Sequence, residues 1–358
     1  MKQFFAFLTS KLGILAIATT LFSAACTDLE APAPIVDNGK YGTGGFIVNE
    51  GQFGRSNGTI SHYDFATRTL TNDIVGGQNT GFALGDVVQS LYFGSEKTAY
   101  AVVNNSNRIV ILESNTFKFR DTMKGFDLPR YFYQPNAVFG MVSEWGANGL
   151  QGAVKIIDLN TKKVIKTIGT GKGADKMVQA GDFVYVLNAD GFDVDSTVAV
   201  INLATQSVQT KLNVGKHPNS IEVDATGRVW VTSGSVWYPN DGAKLTKING
   251  TTVEFSKNLP TPASNLTPTN GRSAFLMVQN NEVFSFPISG TATTDLTSYL
   301  RSNSFTNIYG MSVGKDGNLY VFDARTNNPS RMLIFDGVTK APKDSLNVGF
   351  YANGMISK

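Results

Sequence analysis

The sequence of 358 residues contains a single cysteine and only two histidines. One cysteine has no partner within the chain, which excludes an internal disulfide and leaves the fold to rest on its hydrophobic core. The two histidines, His62 and His217, are too few for a histidine-rich metal centre and give little material for a Ser-His-Asp relay. We therefore expect a protein that is not an enzyme and that needs no cofactor.

Charged residues are also scarce, at 16% of the chain, and neither sign dominates. Two of the 31 basic residues, Lys2 and Lys11, lie in the N-terminal segment discussed next. The remaining basic residues are nearly equal in number to the 28 acidic residues. A nearly neutral protein lacks the electrostatic footprint of nucleic-acid binding, so no nucleic-acid partner is expected. By contrast, 36 glycines and 24 phenylalanines are typical of many short strands joined by tight turns.

The first 25 residues have the pattern of a secretory signal. Two lysines come first, an apolar run follows over residues 12–22, and the small residues 23–25 stand directly before Cys26. The apolar run is shorter than the roughly 20 residues that cross a hydrocarbon core, so a membrane-spanning helix is not expected here. The segment resembles a bacterial lipoprotein signal, which implies that residues 1–25 are removed and that Cys26 carries the lipid. A free thiol at Cys26 is the alternative.

Residues 26–44 are predicted to form a flexible tether. They begin with acids, continue with Pro alternating with small residues, and show no apolar periodicity. Asp28 and Glu30, directly behind Cys26, resemble the surface-export signal of Bacteroidetes lipoproteins. The sequence therefore predicts an outer-membrane lipoprotein on the cell surface, with anchoring on the periplasmic face as the alternative.

A short apolar strand recurs seven times after the tether. Its copies are GFIVNE (45–50), AYAVVN (99–104), VFGMVS (138–143), FVYVLN (183–188), VWVTSG (229–234), FLMVQN (275–280) and LYVFDA (319–324). Successive copies lie 39 to 53 residues apart, close to the roughly 45 residues of one propeller blade. The repeat predicts an all-β, seven-bladed β-propeller over residues 45–358.

Each repeat also contains an alternating strand and turn residues. In the fourth, STVAVINL alternates apolar and polar residues as a half-buried strand does, and LATQ and DATG supply tight turns. No segment from residue 45 onward shows a helical stripe over three turns. The last repeat ends with a surplus apolar strand, whereas the first lacks one. We therefore expect residues 353–357 to pair beside residues 46–49 and close one blade from the N- and C-terminal strands.

The blade pattern in residues 198–221, VAVINLATQSVQTKLNVGKHPNSI, resembles that of YVTN, or YncE-like, propellers. The opening NEGQFGRSNGTISHYD is similar to Bacteroidetes propeller lipoproteins of the surface-layer or domain-of-unknown-function type. This resemblance covers residues 43–358 and implies the fold, whereas it specifies the ligand poorly. Some similar proteins capture corrinoids such as vitamin B12, so the resemblance implies a corrinoid-like ligand and a TonB-dependent transporter as partner.

Loops of a propeller alternate between two faces, and here one face carries the long, chemically varied loops. The other has short polar turns such as LNTKK and DATGR. Binding residues usually lie on varied loops, and aromatic side chains interleaved with amides suit a flat polar ligand, a sugar or a protein surface. Aromatics that merely plug the pore are the alternative. The residues predicted to bind ligand are Phe53, Arg55, Arg130, Tyr131, Tyr133, Trp145, His217, Asn219, Trp237, Tyr238, Tyr309, Arg325 and Tyr351.

Three of these residues, Trp145, Trp237 and Tyr238, are the predicted anchors. They lie in long loops rich in Gly and Asn, which we expect to hold the rings exposed, and exposed aromatics tend to mark an interaction site.

The loop NADGFDVDS is a candidate calcium site, because calcium favours dense oxygen ligands. It offers Asn188, Asp190, Asp193 and Asp195. Its spacing is not that of an EF-hand and no glutamate occupies the twelfth position, so a solvated turn without metal is the favoured interpretation.

Three functions are compatible with these features. The favoured one is a lipid-anchored envelope protein that captures a small-molecule or glycan ligand for an outer-membrane transporter. The second is an envelope scaffold that binds a protein or glycan, and the third is a lactonase- or lyase-type enzyme with acids and amides around a metal. A deep cavity beside Trp145 and Trp237 favours the first function, and a flat rim favours the second.

Overall fold

The computed structural model describes residues 39–289 and 296–358. Its strands form seven four-stranded antiparallel sheets that follow one another around a ring. This architecture confirms the predicted all-β, seven-bladed β-propeller. The predicted signal in residues 1–25, the lipidation site Cys26 and the predicted tether up to residue 38 lie outside the described residues.

Six blades are each built from four consecutive strands, and one blade combines strands from both ends of the propeller. In chain order, blade 1 has β1 (Gly45–Asn49), β2 (Thr59–Asp64) and β3 (Thr69–Thr71); blade 2 has β4 (Val88–Phe93), β5 (Thr98–Val103), β6 (Arg108–Glu113) and β7 (Phe119–Met123); blade 3 has β8 (Pro129–Tyr133), β9 (Phe139–Glu144), β10 (Gly152–Asp158) and β11 (Lys163–Gly171); blade 4 has β12 (Ala174–Ala180), β13 (Phe183–Asn188), β14 (Thr197–Asn202) and β15 (Ser207–Asn213). Blade 5 has β16 (Pro218–Val223), β17 (Val229–Ser233), β18 (Ala243–Asn249) and β19 (Thr252–Leu259); blade 6 has β20 (Ala263–Pro268), β21 (Ala274–Gln279), β22 (Glu282–Pro287) and β23 (Thr297–Leu300); blade 7 has β24 (Ile308–Val313), β25 (Leu319–Arg325), β26 (Asn328–Phe335) and β27 (Pro342–Asn347); β28 (Ala352–Ser357) then returns to blade 1.

The recurring apolar segment is the second strand of every blade, where neighbouring blades cover both of its faces. In β13, Val184 and Val186 join the hydrophobic cluster shared with blade 3, whereas Tyr185 and Leu187 join the cluster shared with blade 5. The outermost strand β15 instead alternates exposed and half-buried residues. A short continuous apolar run is therefore the sequence signature of a strand that lies between two other layers.

Pairing between β28 and β1 closes the ring, as predicted. The two strands form an antiparallel ladder in which Ile47 lies opposite Met355. The buried side chain of Asn49 accepts a hydrogen bond from the Gly349 backbone N–H at 2.9 Å and donates one to Ser61 Oγ at 2.9 Å. The two ends of the propeller are therefore joined by a backbone ladder and by a buried amide.

Residues 39–44 pack against the propeller, although the sequence analysis assigned them to the tether. Tyr41 is buried in the core of blades 1 and 2, and its backbone N–H donates to the Asn115 carbonyl at 2.9 Å. Gly44 and Lys358 exchange two backbone hydrogen bonds. The propeller therefore begins by residue 39 rather than at residue 45, because an aromatic ring that looked like part of a linker fills space in the core.

A five-residue helix, α1 (Ile74–Gln78), lies between β3 and β4 and accounts for the long step between the first two repeats. Ile74 and Val75 are buried, and the Asp73 side chain caps the helix by accepting a hydrogen bond from the Gly76 N–H at 3.0 Å. Such a helix is too short to show a three-turn stripe in the sequence. A 3₁₀ turn lies at Pro239–Asp241. Within the described residues, no helix is long and apolar enough to cross a membrane.

Each innermost strand carries a β-bulge near its start. In β4, Val88 and Ser90 pair with the consecutive residues Val103 and Val102, which leaves Gln89 unpaired. A bulge bends the strand and re-aims the side chain of the extra residue, so the same irregularity recurs at the channel in all seven blades. The bulged residues are Gln89, Arg130 with Tyr131, Asp175 with Lys176, Asn219, Asn265 with Leu266, Tyr309 and Asn353.

Side chains join adjacent innermost strands around the whole channel. Ser90 Oγ donates to the Arg130 carbonyl at 2.7 Å, and Ser312 Oγ accepts from the Met355 N–H at 2.9 Å. The other links are Arg130 to Asp175, Lys176 to Glu222, Ser220 to the Leu266 N–H, Thr267 to the Met311 carbonyl and Asn353 to the Gln89 carbonyl. We call these links the belt, and they tie every blade to both of its neighbours.

Deleting residues 347–358 removes β28 and is predicted to open the ring. The deletion takes away the ladder partner of β1 and uncovers the apolar cluster to which Ala352 and Met355 belong. We expect the free energy of unfolding to fall by at least about 5 kcal/mol, comparable with the whole stability of a small domain. Denaturant titration followed by circular dichroism measures the change.

The matched control for this deletion is Val338→Asp, because the Val338 side chain is 88% exposed on the turn between β26 and β27. This variant should unfold at the same denaturant concentration as the parent protein. A deletion variant as stable as the parent would contradict the closure of the ring by β28.

Candidate functional site

The long loops and the starts of the innermost strands enclose a concave mouth at one end of the channel. Its cavity measures about 410 Å³. Every blade contributes a bulged side chain to the wall, and we call this set the polar ring: Gln89, Arg130, Asp175, Asn219, Asn265, Tyr309 and Asn353. Glu50, Tyr131, Trp145, Asp190 and His217 also lie in the wall. The mouth therefore combines amides, paired charges and aromatic rings.

Arg130 is held in a fixed orientation by three neighbours. Its Nε donates to Asp175 Oδ2 at 2.7 Å, and its Nη1 donates to Gln89 Oε1. The guanidinium carbon lies 4.3 Å from the ring centroid of Trp145. Burial lowers the pKa of Arg130, but the Asp175 carboxylate more than offsets this, so the pKa is raised and the group stays charged. Its remaining N–H groups are available to a ligand in a fixed direction.

On the other side of the mouth, the Glu50 carboxylate accepts hydrogen bonds from two members of the polar ring. Its Oε1 accepts a hydrogen bond from Asn353 Nδ2 at 2.8 Å, and its Oε2 accepts one from the Tyr309 hydroxyl at 2.7 Å. Desolvation raises the pKa of Glu50, and the hydrogen bonds from Asn353 and Tyr309 oppose that shift. Burial and the neighbouring carboxyl group raise the pKa of Tyr309, so its phenol stays protonated and acts as a donor.

His217 connects the loops of blades 4 and 5. Its Nδ1 pairs with Asp190 Oδ2, its Nε2 lies 2.9 Å from Asp241 Oδ2, and the Tyr238 ring stacks on it with centroids 4.8 Å apart. Burial lowers the pKa of His217, but the two carboxylates outweigh burial, and the net pKa lies above the usual 6.5. A histidinium donates from both ring nitrogens, so protonation favours this arrangement. His217 therefore holds the Tyr238 loop against the mouth, and we call these contacts of His217 the latch.

Large apolar side chains stand exposed on one side of the mouth. They belong to loops of blades 3, 4 and 5, and we call them the apolar rim: Leu150, Phe192, Val194, Val236, Trp237 and Tyr238. The most exposed is Trp237, at 85%. Phe192 links the rim to the mouth, because its ring packs edge-on against Trp145 with centroids 5.7 Å apart.

Most of the predicted ligand-binding residues meet at the mouth. Those in its wall are Arg130, Tyr131, Trp145, His217, Asn219 and Tyr309. Tyr238 and Tyr351 stand behind them, in ring contact with His217 and Tyr309 respectively. Side chains from separate blades, far apart in the sequence, thus converge on one cavity.

The remaining predicted residues lie outside this wall: Phe53, Arg55, Tyr133, Trp237 and Arg325. Tyr133 lies deeper in the channel, where its hydroxyl bonds to Gln179 Oε1. Arg325 donates instead to the Pro329 carbonyl within its own hairpin. Phe53, Arg55 and Trp237 are exposed on loop surfaces.

Trp145 was expected to be exposed, and the structure corrects this point. The side chain is half-buried in the wall, between Arg130 and Phe192. Its Nε1 is buried and has no hydrogen-bond partner among the described residues. Its apolar surface therefore has an internal use, which is to cover the guanidinium of Arg130. Trp237 and Tyr238 are exposed as expected.

Four members of the polar ring are not among the residues predicted to bind ligand: Gln89, Asp175, Asn265 and Asn353. Asn265 stands at the third position of its innermost strand, and the other three stand at the second position. Aligning the starts of the seven innermost strands would have revealed a polar or aromatic residue near this position in every blade. The bulge that turns this residue toward the mouth depends on strand pairing, so no pattern in the sequence indicates the bulge itself.

The candidate calcium loop is a hydrogen-bonded turn whose acids are already engaged. Asp190 pairs with His217, Asp193 pairs with Lys172 Nζ, and Asp195 accepts from the Thr197 N–H at 2.9 Å. The Asn188 amide donates to Thr197 Oγ1 at 2.8 Å. In residues 39–289 and 296–358, no group of three His, Cys, Asp or Glu side chains is placed to hold a metal.

Comparison with known families finds one match over the propeller. A family described as "Domain of unknown function (DUF5074)" matches residues 43–356. No curated protein matches the sequence. The matched range includes β1 and most of β28, so it spans the closure of the ring.

Solved structures of similar shape are propeller proteins with little sequence identity. A quinonprotein alcohol dehydrogenase-like protein from Bacteroides thetaiotaomicron is 12% identical with a TM-score of 0.65, and the alignment covers 88% of this chain and 78% of that one. The periplasmic gluconolactonase of Pseudomonas aeruginosa is 14% identical with a TM-score of 0.65, covering 88% and 98%. Hydrazine synthase of Kuenenia stuttgartiensis is 12% identical with a TM-score of 0.61, covering 79% and 90%. At this identity the likeness shows the fold alone.

The two histidines are predicted to titrate on opposite sides of pH 6.5. Carboxylates raise the pKa of His217, whereas burial lowers the pKa of His62. Because its folded pKa is raised, the stability contributed by His217 is complete below the unfolded value and is lost as pH rises through the folded value. Proton NMR of the imidazole Cε1–H resonances measures both titrations, and His62→Gln assigns them. Two resonances that both titrate at 6.5 would rule out the latch.

Proposed function

Because this chain belongs to the family described as "Domain of unknown function (DUF5074)", whose description names no activity, we propose a function from the geometry of the mouth. The protein is a binding module of the cell envelope, without catalytic activity, and it holds a small polar ligand in the mouth. The observation that carries this proposal is the concave cavity of about 410 Å³ into which all seven blades send a side chain. Concave sites with a few convergent polar groups are the usual form of small-ligand sites.

The shape of the mouth favours capture of a small ligand over scaffolding. A flat rim beside Trp145 and Trp237 would suit a large protein partner, whereas this face has a depression whose floor is the polar ring. The belt holds the innermost strands in place, so the wall is formed before a ligand arrives. A site that is already ordered loses less conformational entropy on binding.

Charge compensation in the mouth favours a ligand without strong net charge. Arg130 is paired with Asp175, and His217 with Asp190, while the donors of Asn353 and Tyr309 satisfy Glu50. Aromatic rings and amides then supply the remaining contacts. A hydroxyl- or amide-rich molecule with at least one flat face has the chemistry to use them.

We include no catalytic step in the proposal. The acids of the mouth are engaged by cations or amides, and the described residues offer no metal-binding group of three His, Cys, Asp or Glu side chains. The raised pKa of Tyr309 makes its phenol a donor rather than a base. These features support binding through preformed hydrogen bonds more than the lactonase- or lyase-type chemistry that was the third alternative.

Attachment through a lipidated Cys26 fits this role. The Tyr41 backbone N–H bonds to the Asn115 carbonyl, in the turn between β6 and β7, and this turn lies on the face opposite the mouth. The chain therefore enters the propeller on the face opposite the mouth. Transfer of a corrinoid-like or other ligand to a TonB-dependent transporter is the role in the envelope that we propose.

The apolar rim supports a second candidate function, which is docking of a protein or glycan. Its exposed side chains come from three consecutive blades, and contiguous exposed apolar surface of this kind is usually an interaction site. Trp237 is exposed without covering any part of the mouth, so its ring has no evident role in the wall. In this candidate function, the rim rather than the mouth holds the partner.

Changing Trp145 to Ala is predicted to weaken ligand binding by more than about 1 kcal/mol, the level that separates anchors from neutral contacts. The substitution removes the ring that covers Arg130, so the guanidinium gains freedom and the ligand loses a flat contact. Isothermal titration with cyanocobalamin, and separately with a neutral oligosaccharide, measures the affinity. Trp237→Ala in the same assay reports on the rim.

Lys162→Ala is the control, because Lys162 lies on the opposite face and pairs with Asp121. It should bind like the parent. If Trp237→Ala alone weakened binding, the partner would occupy the rim and the second candidate function would replace the first. Absence of cyanocobalamin binding at micromolar concentration would remove the corrinoid from the proposal.

Cys26→Ala is predicted to release the protein from membranes. The diacyl chain of a lipoprotein supplies the membrane affinity that a polar propeller surface lacks. Fractionation after a high-salt wash, with the parent protein beside the variant, measures the distribution. A variant that still sediments with membranes would show that Cys26 is not the anchor.

A further inference from the structure

Below the polar ring lies a second, larger cavity of about 760 Å³, which we call the lower chamber. Its lining extends to the last residues of the innermost strands, such as Tyr133, Pro268 and Val313. These strand ends lie on the face of short turns, opposite the mouth. Six of the seven members of the polar ring line both cavities, so the ring is their common boundary.

Three charged side chains meet in the wall of the lower chamber. Lys176 Nζ lies 2.6 Å from Glu222 Oε1, and Arg272 Nη2 lies 2.8 Å from Glu222 Oε2. Two cations therefore share one carboxylate. The other carboxylate in the lining is Asp175, which is paired with Arg130. The charged cluster thus retains one positive charge without a counter-charge in the cavity.

Arg272 is positioned by contacts that leave part of its guanidinium free. Its backbone is in the left-handed region with φ of 54°, and the Thr269 carbonyl accepts its backbone N–H at 2.8 Å. Its Nε donates to the Val223 carbonyl at 2.7 Å, which fixes the plane of the group. Among the described residues, Nη1 has no hydrogen-bond partner. Arg272 is therefore oriented by the protein and still has donors to offer.

Other parts of the chamber wall are aromatic or apolar. Tyr92 and Tyr133 contact each other edge-on with centroids 5.9 Å apart, and Met311 and Met355 line the side formed by blades 7 and 1. Aromatic rings and thioethers adapt well to a flat apolar body. The chamber therefore combines a region of positive charge with surfaces that favour burial of an organic ring.

We propose that the lower chamber is a binding site for a small organic oxyanion, whose carboxylate or phosphate group binds Lys176 and Arg272 and whose ring packs against the tyrosines. Hydrogen bonds between charged groups are the strongest that such a site can make. The walls of a cleft also focus the field of the charges that line it, which raises the local concentration of an anion. The argument for this site does not rest on the ligand proposed for the mouth.

Titration with benzoate, phenyl phosphate and neutral benzamide at low ionic strength tests the proposal by calorimetry. We expect at least one oxyanion to bind at least about tenfold more tightly than benzamide, which corresponds to one charge-assisted hydrogen bond. Arg272→Gln should remove that preference, and Arg272→Lys should keep part of it. Arg301→Gln is the matched control, because Arg301 pairs with Glu282 outside the chamber and is highly exposed.

A second measurement uses the unaltered protein, so it does not depend on whether the Arg272 variants fold. Methyl NMR resonances of Met311 and Met355 should shift on addition of the bound oxyanion, whereas the indole resonance of Trp145 in the mouth should not. Binding of neither oxyanion more tightly than benzamide would overturn the proposal. So would an unchanged preference in Arg272→Gln, or a shift confined to Trp145.

Discussion

Backbone groups at the inner edge of each blade need hydrogen-bond partners from outside their own sheet. An innermost strand has a ladder partner on one side only, so its other backbone groups face the channel and need hydrogen bonds. Ser90, Ser220, Thr267 and Ser312 meet part of this need by bonding to the backbone of the next blade. The same contacts close the ring and shape the cavity, so stability and the candidate site rest on one set of residues.

The bulges allow the same inner edges to form the wall of the mouth. Where a strand bulges, its pairing is interrupted and a polar side chain is turned toward the mouth. Burial of a charged side chain costs free energy unless the charge is paired. Arg130 of blade 3 and Asp175 of blade 4 avoid this cost because they form an ion pair with each other. Two pairs of opposite charges therefore stand in the wall of the mouth, Arg130 with Asp175 and His217 with Asp190. Recognition at such a site depends on the shape and direction of hydrogen bonds more than on long-range attraction.

Much of the fold was predictable because its signals are local. The second strand of each blade is apolar over its whole length, and the missing and surplus strands at the two ends indicated the closing blade. The site was only partly predictable. Gln89 and Asn265 reach the mouth through bulges that depend on pairing between strands, and Trp145 is covered by partners from other loops. Tyr41 looked like part of a linker, because its place in the core is formed by residues distant in sequence.

Asp175 and Lys176 show how closely the two cavities are connected. They are consecutive residues of one bulge, yet Asp175 fixes Arg130 at the mouth while Lys176 joins Glu222 in the lower chamber. A backbone movement at this bulge changes the position of both charges at once, since no regular ladder pair holds either residue. This one bulge therefore supplies a charged side chain to an ion pair in each cavity, so the wall of the mouth and the wall of the lower chamber depend on the same stretch of backbone.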